Sequence, residues 1–118
     1  MLAPLLFLAI HAAQPYEDAS KGSALYAECK AYAALKDHTK KIDTQTASDA
    51  AMCAGYIEGY VQAGNIVLNA FCMPEDWDTQ MKVQVYLVYM DVHPKLLDMP
   101  RNMGLYYSLK QAAPCSAH

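Results

Sequence analysis

The pattern of apolar and polar positions predicts a helical chain organised around one central helix. We place this helix at about residues 48–70, a stretch without proline whose apolar side chains cover most of the circumference at 100° per residue. Such a helix is normally surrounded by others, and Ser48 or Asp49 would cap its first turn. Gly55 and Gly59 lie one turn apart in it. Because each glycine costs a helix up to about 1 kcal/mol, we expect another backbone to approach them closely.

One helix is predicted before the central helix. Leu25, Cys29 and Tyr32 share a face of a helix that runs from Ser23 to Lys36. The polar residues 37–47 that follow are predicted to form a loop.

Two further helices are predicted after it. Residues 79–92 alternate apolar and polar positions in part, as a strand would, but fourteen residues without a turn signal is long for a strand. We therefore interpret them as a helix that is capped by Asp78 or Thr79 and ended by His93-Pro94. Asp98 is predicted to cap the last helix.

The four cysteines are widely spaced and form no C-x-x-C pair, which argues against a zinc ribbon. An even number in a small chain fits two disulfides in an oxidising compartment, the alternative being four reduced thiols in a cytosolic protein. An up-down bundle would bring Cys29 to the level of Cys53, and Cys72 to the same end as Cys115. The two closures would then stabilise the fold by roughly 3.5 and 4 kcal/mol.

The N-terminal residues resemble an export signal. Leu2 to Ile10 form an apolar run that is followed by small residues, although no basic residue precedes it. We interpret residues 1–13 as a signal peptide or its remnant, residues 14–22 as a flexible lead, and residues 23–115 as one domain. The run is too short to span a bilayer.

Composition narrows the class of protein further. The chain has 118 residues, a net charge of −3 and 54% hydrophobic residues, which fits a single domain with a sizeable core. It has no basic excess that would serve nucleic acid.

Several short motifs resemble one family. C-A-G-Y-I-E-G from Cys53, F-C-M-P from Phe71, H-P at His93 and A-P-C ending at Cys115 occur in the order typical of immunity proteins against type VI secretion amidase effectors, the Rap/Tai group. The similarity covers about residues 23–115. It implies a small helical periplasmic protein, usually dimeric, that blocks a peptidoglycan-cleaving amidase. Asn69-Ala70 before the F-C-M-P motif and Tyr106-Tyr107 depart from the usual pattern.

The central helix has surplus apolar surface, and the resemblance also implies a homodimer. Ile57, Val61 and Leu68 form a strip on the central helix that three partner helices do not need, and such patches tend to be interfaces. We therefore expect a two-fold homodimer that uses part of this strip.

No motif for catalysis, a metal or a cofactor stands out. The chain lacks G-x-S-x-G, a P-loop and H-E-x-x-H, so we expect a protein that is not an enzyme. Glu58 is a carboxylate among the apolar positions of the central helix, and we expect it to be solvated or hydrogen-bonded between subunits rather than to act as an acid or base.

The two breaks around the third helix are the candidate effector-binding segments. On the first, acids surround the only tryptophan; the alternative is that the acids cap the helix while the ring anchors it. The second, residues 93–97, is a loop with exposed apolar residues; the alternative is that Leu96 and Leu97 return to the core. The candidates are Glu75, Asp76, Trp77 and Asp78 on the first break and His93, Lys95 and Leu96 on the second.

Together these features predict an all-α, four-helix bundle-like inhibitor with two disulfides. It would occlude the active site of a cell-wall amidase. The alternative class is a periplasmic stress chaperone, which would bind many clients rather than one enzyme. A small hydrolase is disfavoured because no nucleophile–base motif is present.

Overall fold

The computed structural model describes residues 18–37, 39, 41–65 and 69–115, and within them the fold is all-α as predicted. A single antiparallel bridge, between Lys21 and Pro100, is the β-type pairing in this part of the chain. The elements are four α-helices and a 3₁₀ turn after the third: α1 (Gly22–Leu35), α2 (Thr44–Ala63), α3 (Thr79–Val92), the 3₁₀ turn (Pro94–Asp98) and α4 (Met103–Ala112).

The bounds of α3 agree with the sequence prediction, and those of α1 differ by one residue at each end. At the start of α3 the Asp78 carboxylate accepts a 2.8 Å hydrogen bond from the amide of Met81. This bond satisfies one of the amides that the first turn leaves free. His93 follows the last residue of α3, and Pro94 starts the 3₁₀ turn.

The prediction for the start of α2 is wrong by about one turn. The helix begins at Thr44, inside the predicted loop, and its N-cap is Asp43, whose carboxylate accepts from the Thr46 amide at 2.7 Å. The first turns are exposed and polar, so they carry no apolar periodicity, and only the cap marks them. Neither Ser48 nor Asp49 caps the helix, because both lie within it.

The end of α2 also comes earlier than predicted. The α-helix ends at Ala63, and Asn69 has a φ of 45°, in the left-handed region. The chain then returns Phe71 to the core, with its ring against Gly64. A Cβ at Gly64 would come within 2.9 Å of the ring Cε2 atom, so glycine is what permits this contact.

The prediction that Asp98 caps the last helix is wrong. Asp98 ends the 3₁₀ turn, and α4 starts only at Met103. Pro100 and Arg101 instead pair with the chain that precedes α1: the Arg101 amide donates to the carbonyl of Ser20 at 2.7 Å. The described end of the predicted lead is therefore held against the domain, while residues 1–17 lie outside the described residues.

One apolar cluster forms the core, and every helix contributes to it. α1 packs most extensively against α2, and α3 packs against α1, α2 and α4. Burial raises the pKa of Tyr86, whose ring lies in this cluster. The buried members are Leu25, Cys29, Cys53, Ile57, Val61, Phe71, Val83, Tyr86, Leu87, Met90, Leu105 and Leu109.

The predicted disulfide pairing is confirmed. Cys29 joins Cys53 between α1 and α2, and Cys72 joins Cys115 where the chain leaves α4. The Cys29–Cys53 pair is fully buried, whereas both residues of the second pair are exposed.

Arg101, which the sequence analysis did not single out, joins three parts of the fold. Its guanidinium forms an ion pair with Glu28 of α1 and lies over the ring of Tyr56 of α2, 4.6 Å from the ring centroid. It also donates to the carbonyl of Ala19 at 3.4 Å. The connection before α4 is therefore fixed to α1 and α2 by one side chain.

Candidate binding surface

The two predicted binding segments lie at opposite ends of α3. The helix has 14 residues, and at 1.5 Å per residue it is about 21 Å long. The structure therefore does not bring the candidates at positions 75–78 together with those at 93–96.

At the first end of α3 the candidates divide between structural and exposed roles. Asp78 caps the helix, and the amide of Trp77 donates to the carbonyl of Pro74 at 3.2 Å. The ring of Trp77 is half-buried, while Glu75 and Asp76 are exposed. Asp78 is exposed as well, so all four side chains are accessible in full or in part to a partner, while one carboxylate oxygen of Asp78 is engaged in the cap.

At the other end, His93 and Lys95 are exposed and Leu96 is half-buried against the core. The imidazole of His93 stacks on the Tyr89 ring at a centroid distance of 4.0 Å. Its Nδ1 atom lies 2.8 Å from the Tyr89 carbonyl oxygen, within hydrogen-bond distance. The orientation of His93 is thus set by the last turn of α3.

Between these ends, α3 carries an exposed apolar stripe that the sequence analysis missed. Met81, Val85, Val88 and Val92 follow one another at intervals of four, three and four residues, which places them on one side of the helix. Val88 is 55% exposed and Val92 is 69% exposed. The sequence does contain a signal for this stripe, because the polar arc of residues 79–92 is narrow. A helix that buries only one side normally has a wider polar side, so a narrow polar arc indicates apolar surface beyond the buried side.

The stripe forms one wall of an apolar groove. Two adjoining cavities of about 620 and 440 Å³ share Tyr89, Val92 and His93. Residues of α4 and the 3₁₀ turn complete the lining. Among the residues that line the two cavities, Lys95 alone is of the Asp, Glu, Lys or Arg type. It lies in the 3₁₀ turn that follows α3.

Polar contacts on the other sides of α3 explain why the stripe points outward. The Lys82 ammonium, largely buried, forms an ion pair with Glu58 of α2 at 2.9 Å, and Thr79 donates to the same carboxylate at 2.8 Å. Near the other end of α3, the Tyr26 hydroxyl donates to Asp91 at 2.6 Å, which raises the pKa of Tyr26. The charged side chains of α3 are thereby paired with α1 and α2.

Two expectations for α2 need correction. Glu58 forms an ion pair with Lys82 of the same chain, while its side chain remains 35% exposed. Gly55 and Gly59 are exposed, and a Cβ at either would meet no atom within 4 Å outside its own helix backbone, so no other backbone among the described residues approaches them.

The premise of the predicted dimer strip is also wrong. Ile57 is fully buried in the core and Val61 is 4% exposed, so neither forms an exposed strip. Leu68, the third member, lies outside the described residues. Both side chains pack against the helices that surround α2. The sequence analysis had expected the other apolar positions of α2 to fill these contacts.

The described residues show neither a metal-binding cluster nor a membrane-spanning helix. In this part of the chain no group of three or more His, Cys, Asp or Glu residues is placed to hold a metal ion. The described helices include none that is both long and apolar enough to cross a membrane. The exposed apolar stripe on α3 is the surface with the clearest potential for binding.

The family model of the Rap1a immunity proteins matches residues 21–115, and the chain therefore belongs to the Rap1a immunity protein family. The family implies an immunity function against an effector and a role without catalysis. No curated protein and no solved structure matches the chain.

Proposed function

We propose that this protein is a periplasmic immunity protein that binds a cognate peptidoglycan amidase effector of a type VI secretion system and occludes its active site. The observation that carries the proposal is the family match over residues 21–115. The exposed segments around α3 support it, because an amidase groove that admits a narrow peptide stem is open to a protruding segment.

Export is part of the proposal. All four cysteines are joined in disulfides, which persist in oxidising compartments such as the periplasm. The predicted signal peptide or remnant at residues 1–13 is consistent with export, although it lies outside the described residues.

The segment before α3 is the first candidate contact with the effector. Trp77 would supply contact area, because tryptophan is enriched among residues that dominate binding energy. Glu75 and Asp76, both exposed, would orient the encounter and increase its rate more than its affinity.

The test is calorimetric titration of the cognate amidase with Trp77→Ala. We expect a loss of at least about 2 kcal/mol of binding free energy, the threshold for a hot spot. Tyr32→Ala, which truncates another half-buried ring on α1, is the matched control. Melting temperatures are compared in parallel, because Trp77 also adjoins the cap of α3. If a normally folded Trp77→Ala protein keeps its affinity, this segment does not contribute, and residues 93–97 become the candidate.

We also propose a two-fold homodimer that is formed through the α3 stripe. Two copies of α3 packed antiparallel would join two uncharged apolar stripes. The acidic end of one α3, with Glu75 and Asp76, would then lie next to Lys95 of the other copy. Both features favour a self-complementary interface.

Val88→Glu tests this interface by sedimentation. We expect the variant to be monomeric with unchanged helix content, because the glutamate would place a charge at the centre of an apolar contact. Met52→Glu on α2 places the same charge at another exposed apolar side chain and should leave the assembly intact. A wild-type protein that is already monomeric at micromolar concentration would refute the dimer. Suppression of aggregation of many unrelated proteins would instead favour the chaperone alternative.

A further inference from the structure

The two disulfides differ in whether another thiol can reach them. Cys29 and Cys53 are both 0% exposed, between α1 and α2. Cys72 and Cys115 are both exposed. Thiol–disulfide exchange requires a thiolate to attack one sulfur directly, so access decides which disulfide reacts in the folded protein.

A cavity opens beside one residue of the exposed pair. It has a volume of about 520 Å³, and Cys115 contributes to its lining whereas Cys72 does not. Lys110 lines the same cavity, and its ammonium lies 3.3 Å from the hydroxyl of Tyr106. The Sγ atom of Cys115 lies 3.8 Å from the carbonyl oxygen of Asn69.

One of these groups attracts an anionic thiolate, and the other suits the reduced form of the protein. The Lys110 ammonium attracts a negative charge into the cavity, an effect that salt screens. The Asn69 carbonyl is in place to accept a hydrogen bond from the S–H group of a reduced Cys115. A small thiol such as glutathione and the reactive cysteine of a dithiol oxidoreductase share this chemistry.

We propose that Cys115 is a thiol–disulfide exchange site of the folded protein. The incoming thiolate forms a bond to Cys115 Sγ, the Cys115–Cys72 bond breaks, and the electron pair leaves on Cys72 as its thiolate. A second thiolate then attacks the incoming sulfur and releases Cys115, so that two thiols are oxidised to one disulfide while the protein's disulfide is reduced. The reverse sequence oxidises the protein.

Opening this disulfide does not require the domain to unfold. Phe71, next to Cys72, is buried in the core, and the amide of Cys72 donates to the carbonyl of Ala113 at 2.8 Å. These contacts hold the two chain segments together without the S–S bond. Cys29–Cys53, by contrast, is buried between α1 and α2, so a thiol reaches it only when these helices separate. Exchange in the folded protein is therefore confined to the exposed pair.

The experiment incubates the folded full chain with reduced and oxidised glutathione, quenches with acid, alkylates free thiols and maps the peptides by mass spectrometry. We expect glutathione on Cys115 and the alkyl group on Cys72, with Cys29–Cys53 intact at times when the exposed pair has exchanged. Equal exchange of both disulfides, or glutathione on Cys72, would overturn the proposal.

Lys110→Gln tests the contribution of the cavity. We expect exchange to slow by about two- to fivefold at low salt and the difference to disappear at about 1 M salt, where charges are screened within a few ångströms. Lys36→Gln is the matched control, because Lys36 and Lys110 each lie 5.4 Å from the centroid of a tyrosine ring. A Lys110→Gln protein that exchanges at the wild-type rate, or a Lys36→Gln protein that is equally slowed, would refute the assignment. This outcome is independent of whether any amidase is bound.

Discussion

Replacement of Arg101 by methionine is the sharpest test of how this fold is held together. Methionine keeps much of the length and the apolar contacts of the side chain but removes the guanidinium. The variant loses the ion pair with Glu28, the contact with the Tyr56 ring and the hydrogen bond to the carbonyl of Ala19. All three contacts join segments that are distant in sequence.

The magnitude follows from the burial of the pair. The side chains of Arg101 and Glu28 are only 14% and 16% exposed, so removal of the arginine leaves a carboxylate largely desolvated. Breaking a buried pair in this way costs about 3–5 kcal/mol, and loss of a cation–π contact costs a further 0.5–2 kcal/mol, roughly. Because both side chains retain some contact with water, we expect the total loss of stability to lie near the lower end of this range, at about 3 kcal/mol.

Urea unfolding under non-reducing conditions measures this loss. The free energy of unfolding should fall by about 3 kcal/mol without a change in the slope against urea concentration. Arg101→Lys should lie between the wild type and Arg101→Met, since lysine restores the charge but not the planar fork. Lys95→Met, at an exposed position, should stay within about 0.5 kcal/mol of the wild type.

A double-mutant cycle with Glu28→Gln isolates the pair. If the two side chains stabilise the fold through each other, the double variant should be more stable than the sum of the single losses predicts, by about 1 kcal/mol or more. A loss below about 1 kcal/mol for Arg101→Met, or no coupling in the cycle, would refute the view that this pair holds the connection before α4.

Three further substitutions test the packing around two glycines and the dependence of stability on the acid cap of α2. Gly55→Ala should stabilise the protein by up to about 1 kcal/mol in urea unfolding, because the new methyl group meets open space in a helix. Gly64→Ala should instead destabilise it by about 1–3 kcal/mol, since its Cβ would overlap the ring of Phe71. The amide of Thr46 holds the pKa of Asp43 below its ordinary value, so the stability that this carboxylate contributes is present above that value and is lost as pH falls through the lowered pKa. Acid titration of stability should therefore be shallower below pH 4, roughly, for Asp43→Asn, and an unchanged titration would contradict the role of this cap.

Local features of the sequence were sufficient for α1 and α3. The apolar spacing of α1 and the combination of the Asp78 cap with His93-Pro94 around α3 are decided by residues within a few positions of each other. The disulfide pairing could also be predicted in part, because the order of the helices along the chain restricts which cysteines meet. The Cys29–Cys53 and Cys72–Cys115 pairing was predictable for this reason.

The sequence by itself thus determined the all-α fold class, the presence of two disulfides and the protein family. The tertiary structure decided which side chains of the helices face the solvent. Burial of Ile57 and Val61, and exposure of Val88 and Val92, depend on which sides of α2 and α3 their neighbours cover. A helix that is apolar on several sides does not record this choice in its own residues. The pairing of Arg101 with Glu28 spans 73 positions and leaves no periodic trace, so only the packed chain reveals it.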